Sequence, residues 1–374
     1  MINKKRLIDL TRQLIKIDSQ NPPGNETAIA CFLKTYLEKL GLRVKIVAFK
    51  KNRPNVIAYL LGKDTHHSLL VTPHLDTVPA GRKWRCDPFA GVVVQNKLYG
   101  IGATDCKGNL ACAVEAIHSI VENKAGLYYN LVLAATADEE SGSTWGLIPL
   151  LKKSIIKVDA AVVLDTEEFE IIVAQKGLLH VKVKLEGKRA HGAYPWRGDN
   201  AIDAAVRIVA ELKSRKMRFR KNRYLLPPTL NVGTIKGGDK VNVVADWCEL
   251  ELDFRFLPGT EAGSLLRMVK DIVKKHSRKF VIEVEGIQKP YCIDQGHPLV
   301  KYLTAAMRAC KIKPRICGSE GATVITFFQE QSIPAVATGF GSEGCAHISN
   351  EYVSLDNLYQ GTVVLEKFLT DFKF

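Results

Sequence analysis

Apolar residues recur at helical spacing near the start of the chain. Leu7, Leu10, Leu14 and Ile17 predict a helix, stopped by the turn-forming Asn21-Pro22-Pro23-Gly24. Ile29, Phe32, Leu33, Leu37 and Leu40 predict a second helix, with Gly41 at its C-terminal end. Short apolar runs follow at Val44 to Ala48, at Asn55 to Leu61, and at Leu69-Leu70-Val71, which Pro73 closes. Lys107-Gly108-Asn109 opens a helix with Leu110, Val114, Ile117 and Val121 on one face. Two further apolar runs occupy Asn130 to Ala135 and Ala160 to Leu164. Helices alternating with such strands predict an α/β sheet covered on both faces.

The period changes after Gly177. Leu179, Val181, Val183 and Leu185 alternate with His180, Lys182, Lys184 and Glu186, the pattern of a strand with one wet face. A helix over 201–213, strands over 230–235 and 247–256, a helix over 261–276 and a strand over 280–285 complete the order β-α-β-β-α-β. This is a ferredoxin-like α+β unit, read as a lid over 177–289 inserted into a catalytic domain made of 1–176 and 290–374. The last segment carries helices over 299–307 and 358–369 and a strand over 333–337.

Composition narrows the class. The 374 residues are enough for two domains, and 46% hydrophobic with 25% charged residues is ordinary for a globular protein. No apolar run approaches the roughly 18 residues of a membrane span. The basic N-terminus is followed by Asp9, Thr11, Arg12 and Gln13 rather than an apolar core, so no secretory signal is expected and the location expected is cytoplasmic. Nine cysteines without CxxC pairs exclude a disulfide framework or a zinc ribbon. The net charge of +14 is densest at Lys213, Arg215, Lys216, Arg218, Arg220, Lys221 and Arg223. Only Met217 and Phe219 interleave there, which favours a solvated basic surface over a nucleic-acid platform.

The candidate chemistry sits at the ends of the apolar runs. Beyond Val71, His74 and Asp76 are two residues apart, so on extended backbone both leave the same side. That suits a metal-bound imidazole oriented by a carboxylate. Four other stretches lead to Asp105, to Asp138-Glu139-Glu140, to Asp165 and, through Gly339-Phe340-Gly341, to His347. In open α/β sheets ligands gather outside the carboxyl ends of parallel strands, so these ends can converge. Two imidazoles and several carboxylates without thiolate suit a hydrolytic metal pair rather than a structural cysteine site.

With these motifs in this order, the chain resembles the zinc aminoacylases and exopeptidases that include acetylornithine deacetylase, succinyl-diaminopimelate desuccinylase and glutamate carboxypeptidase. The resemblance implies a dizinc exopeptidase-like catalytic domain with a ferredoxin-like lid that also dimerises. It implies two zinc ions, with cobalt able to substitute. Asp105 would bridge them, His74 and Asp165 would complete one ion's protein ligands, and Glu140 and His347 the other's. Glu139 would be the general base, its side chain pointing away from that of Glu140 on extended backbone. His191, in Gly187-Lys188-Arg189-Ala190-His191-Gly192, matches a histidine that serves the partner subunit's site as an oxyanion donor. Asn242 and Arg255 match positions that hold the substrate carboxylate. The loop with Gly339 and Gly341 could offer backbone N–H groups to the same anion.

Two departures stand out. Asp165-Thr166 replaces a common Glu-Pro, and Ile101 replaces an arginine frequent between the two glycines. Asp is commoner in the peptide-cleaving branches. The resemblance as a whole implies hydrolysis of an N-acyl amino acid, and this Asp makes a dipeptidase or carboxypeptidase the alternative. A basic binding protein on an inactive hydrolase fold has no use for the complete ligand set.

Overall fold

The computed structural model describes residues 1–64 and 66–374. They divide into two compact units, one of Met1–Val173, Ile293–Cys317 and Phe327–Phe374, the other of Ala174–Cys292 and Gly318–Thr326.

The first unit is α/β. Its strands lie in the order Arg43–Ala48, Pro54–Leu60, Asn130–Ala135, Ser68–Thr72, Ala160–Leu164, Ala335–Thr338 and Glu170–Gln175. The Asn130, Ser68, Ala160 and Ala335 strands run parallel, so their carboxyl ends share one edge. All are buried along almost their whole length, as expected of apolar strands covered on both faces. The Lys107–Glu122 helix is buried on nearly every side from Lys107 to Ile120, not along one stripe. It packs between the Lys4–Lys16 and Leu355–Asp371 helices. Its buried Glu115 is met by Arg6 at 2.7 Å, which satisfies a charge that would otherwise be costly there. A small sheet of Val92–Val94, Lys97–Tyr99 and Tyr352–Ser354 was not foreseen.

The second unit is a four-stranded antiparallel sheet in the order Thr229–Gly237, Trp247–Phe256, Gly177–Glu186 and Lys279–Gln288. With helices Ala201–Ser214 and Ala262–His276 it has the ferredoxin-like order. Leu179, Val181, Val183 and Leu185 are buried with Ala205, Ile208, Val269 and Ile272, whereas Lys182 on the other face pairs with Glu251 and Glu285 at 2.9 and 2.8 Å. The segment Gly318–Thr326 also belongs here, held through buried Lys176, which pairs with Glu320 and donates to the Pro227 carbonyl at 2.7 Å. Among the described residues, no helix is long and apolar enough to cross a membrane.

Candidate metal centre

His74 follows the Ser68–Thr72 strand and is 2% exposed, with Nε2 at 2.9 Å from Asp105 Oδ1 and 3.3 Å from Asp165 Oδ1. Its Nδ1 faces the backbone carbonyl of Asp76 at 2.9 Å, whereas the Asp76 carboxylate lies at 3.6 Å. The nearer acceptor is thus the Asp76 carbonyl, with the expected carboxylate of the same residue beside it. The Asp76 carboxylate accepts the N–H groups of Glu139 and Glu140 at 3.1 and 3.2 Å, and Asn21 Nδ2 at 2.8 Å.

Asp105 sits at the start of the Lys107–Glu122 helix, after the Gly100–Thr104 turn. Buried Glu351, which carries no motif in the sequence, accepts the N–H groups of Gly102, Thr104 and Asp105 at 3.0, 2.8 and 3.0 Å. The turn so fixed sends the Asp105 oxygens two ways. Oδ1 faces His74, and Oδ2 lies 3.1 Å from His347 Nε2.

Beyond the Asn130–Ala135 strand the chain does not stay extended. Asp138 has φ 66° and Glu139–Ser141 form a single 3-10 turn. Arg53 explains the bend. This buried guanidinium meets Glu26 at 2.8 Å and Asp138 at 2.9 Å, while Asp138 Oδ2 accepts the Trp145 N–H at 2.9 Å. Glu140 reaches His347 Nε2 at 3.2 Å. No protein hydrogen bond engages the Glu139 carboxyl among the described residues.

Asp165 ends the Ala160–Leu164 strand, and His347 lies on an irregular loop. Their segments are joined by Glu167, whose carboxylate accepts the N–H groups of Gly344 and Ala346 at 2.6 and 3.1 Å. Side-chain atoms of His74, Asp105, Cys106 and Asp165 lie within 4.8 Å of one another, as do those of Asp105, Glu140 and His347.

Residues 70–371 match the model of peptidase family M20/M25/M40. The chain belongs to that family. It is a hydrolase of amide or peptide bonds with a metal cofactor. Over 371 residues it is 29% identical to acetylornithine deacetylase of Proteus mirabilis (strain HI4320), covering 93% of this chain and 92% of that one. Acetylornithine deacetylase of Salmonella typhimurium (strain LT2) is 30% identical over 367 residues, with 92% of each chain covered. Among solved structures, aminopeptidase PepT from Bacillus cereus has a TM-score of 0.84 at 22% identity, covering 99% of this chain and 98% of that one. The YXEP protein of Bacillus subtilis, a dinuclear metal-binding peptidase of family M20, has a TM-score of 0.74 at 16% identity, covering 98% and 97%. At these identities the structural likeness is one of fold.

The electrostatics of this M20 chain fit cations. Burial, then the Asp105 charge, pushes the Asp165 carboxyl up to about 7. Burial, followed by the Asp165 charge, raises Glu139 well above the carboxylate range. Asp105 and Glu140 push the His347 imidazole up to about 11. Burial opposes charge on Asp105, but His347 and His74 outweigh it and hold this carboxyl below its ordinary value. Four carboxylates crowded around two imidazoles are the oxygen- and nitrogen-rich donor set that divalent ions bind. Cys106 stands apart from the set. Burial pushes its thiol up to about 12, and its Sγ accepts the His74 N–H at 3.1 Å.

The other expected site residues fall elsewhere. Gly339 and Gly341 are buried, and a side chain there would strike Thr166 and Thr104. The N–H groups of Phe340 and Ser342 go to Asn109 and Thr104 at 2.8 and 3.1 Å. Two N–H groups of this loop are therefore engaged within the unit. In the second unit His191 and Asn242 are exposed and adjacent, the Gly192 N–H donating to the Asn242 carbonyl at 2.8 Å. Both lie beyond the sheet end where Trp247 pairs with Glu186. Arg255 is at the opposite end beside Leu178 and is held by Asp253 at 2.9 Å. One copy of this unit does not bring Arg255 to His191 and Asn242.

Proposed function

We propose that the chain is a zinc-dependent amidohydrolase that cleaves an N-acyl amino acid to a carboxylate and a free amine, of the acetylornithine deacetylase or succinyl-diaminopimelate desuccinylase type. The observation that carries this reading is Asp105, whose two oxygens face two different imidazoles, His74 and His347. That is the arrangement a bridging carboxylate needs. His74, Asp105 and Asp165 would hold one ion, and Asp105, Glu140 and His347 the other. When bound, zinc lowers the pKa of water and polarises the scissile carbonyl, and cobalt can serve similarly.

Glu139 is the general base. Among the described residues no protein hydrogen bond engages its carboxyl, and burial raises its pKa above the ordinary carboxylate value. It takes a proton from the attacking water and gives it to the leaving nitrogen, while Asp76 fixes the turn that carries it. Arg255 and Asn242 hold the substrate's α-carboxylate, and His191 donates to the oxyanion. Because Arg255 and His191 lie at opposite ends of one sheet, both reach one site only if His191 and Asn242 come from a second copy. The active unit is therefore a homodimer built through the ferredoxin-like unit. Cys31 is an exposed thiol outside any disulfide, which suits the reducing cytoplasm.

A dipeptidase or carboxypeptidase is the second reading, favoured by Asp165-Thr166 in place of Glu-Pro. A hydrolysis screen with added zinc separates them. Acetate or succinate released from N-acyl amino acids supports the first, and two amino acids released from dipeptides the second. Salt-sensitive retention on DNA without any hydrolysis would overturn both.

A further inference from the structure

We infer that Glu167 is a positioning residue for His347 and sets the metal affinity of that side of the centre; this rests on the dizinc reading above. The two imidazoles are held unequally. His74 is 2% exposed, whereas the His347 side chain is 52% exposed. His347 has φ 59°, in the left-handed region that non-glycine residues seldom adopt, and residues 343–350 contain neither helix nor strand. Such a loop needs an external tie to hold a ligand in one place.

Glu167 supplies that tie. Its Oε2 accepts the Gly344 N–H at 2.6 Å and its Oε1 accepts the Ala346 N–H at 3.1 Å. The donors stand three residues and one residue before His347, and hydrogen bonds to an ionised acceptor are about twice as strong as neutral ones. The backbone extends the join, with the Glu168 N–H donating to the Gly341 carbonyl at 3.0 Å and the Phe169 N–H to the Gly339 carbonyl at 2.9 Å. Glu167 stands two residues beyond Asp165, so one short segment offers a ligand to one ion and braces a ligand of the other. With both oxygens engaged by N–H groups, the Glu167 carboxylate braces the centre instead of joining it.

The test is a zinc titration against a competing chromophoric chelator, with thermal melting in parallel. Wild type should bind two zinc ions. Glu167→Ala should bind one as tightly as wild type and the other roughly 10- to 100-fold more weakly, the usual effect of losing a group that orients a ligand. Its kcat should recover at saturating zinc. Glu167→Gln, which keeps one carbonyl acceptor, should fall between, and Glu168→Gln should match wild type. Unchanged binding in Glu167→Ala, or equal weakening of both ions, overturns the inference. Equal losses in the Ala and Gln variants would assign the effect to charge and also overturn it. If the Ala variant does not fold, unchanged binding by Glu167→Gln overturns it alone. A wild-type chain that binds fewer than two zinc ions overturns the dizinc reading itself, and the inference with it.

Discussion

The Asp76 carboxylate accepts the backbone N–H of Glu139 at 3.1 Å, so the loop carrying His74 fixes the turn carrying the proposed base. The same carboxylate takes the Glu140 N–H at 3.2 Å. Asp76→Ala leaves these donors without their acceptor, at a cost of about 1–3 kcal/mol for each buried unsatisfied group. The expected outcome is a lower melting temperature and a fall in kcat larger than any change in KM. Asp76→Asn, with one carbonyl oxygen, should be intermediate. A variant with wild-type kcat would separate Asp76 from the catalytic turn.

Glu139→Gln removes a proton carrier and leaves every proposed ligand in place. We expect kcat to fall by about 10²- to 10⁴-fold, the usual contribution of general base catalysis, with two zinc ions retained. Elemental analysis checks the second half. Loss of one ion along with activity would make Glu139 a ligand.

Zinc binding should release protons. In the metal-free protein His347 is pushed up to about 11 by Asp105 and Glu140. At His74 burial opposes the charge, but Cys106, Asp105 and Asp165 outweigh it and raise the pKa. His347 therefore carries a proton near neutral pH, and only the neutral ring is a ligand. The sign follows directly. The His347 ion pairs stabilise the metal-free fold fully below the ordinary value of 6.5 and lose that contribution as pH rises through about 11. Zinc thus competes with protons, and its affinity should increase with pH. Calorimetry in two buffers of different protonation enthalpy measures the release, and none near neutral pH would show that the His347 ring is already neutral.

What the sequence made legible was periodic. Apolar runs marked the strands whose ends carry His74 and Asp165, and strict alternation marked the ferredoxin-like unit. What it hid depends on loops closing in space. Glu351, Glu167 and Arg53 do their work by receiving backbone N–H groups or gripping a carboxylate far along the chain. In sequence each is a charged residue near a turn, indistinguishable from a solvated one. The same holds for Asp138-Glu139-Glu140, expected to be extended but bent by the buried Arg53 contact. The close packing of Gly339 and Gly341 was hidden for a related reason. Their approach to Thr166 and Thr104, which leaves no room for a side chain, exists only once the loop has closed.

The last expectation concerns assembly. Trp247 and Arg255 lie near opposite ends of one strand, paired with Glu186 and Leu178. At about 3.3 Å per residue that strand separates these residues by roughly 26 Å, with His191 beyond one end and Arg255 at the other. No single small substrate spans that distance within one unit, so a site using both residues draws them from two chains. Glu139→Ala and His191→Ala homodimers should then each be nearly inactive, the first lacking its base and the second its oxyanion donor. A mixed dimer contains one site with an intact Glu139 from one chain and an intact His191 from the other. Mixing the inactive variants under conditions of subunit exchange should restore activity, up to about a quarter of wild type for random pairing, since half the dimers would carry one good site of two. Differently tagged chains, isolated as the heterodimer, allow the restored sites to be counted. If exchange is demonstrated and activity stays at background, His191 acts within its own chain or not at all.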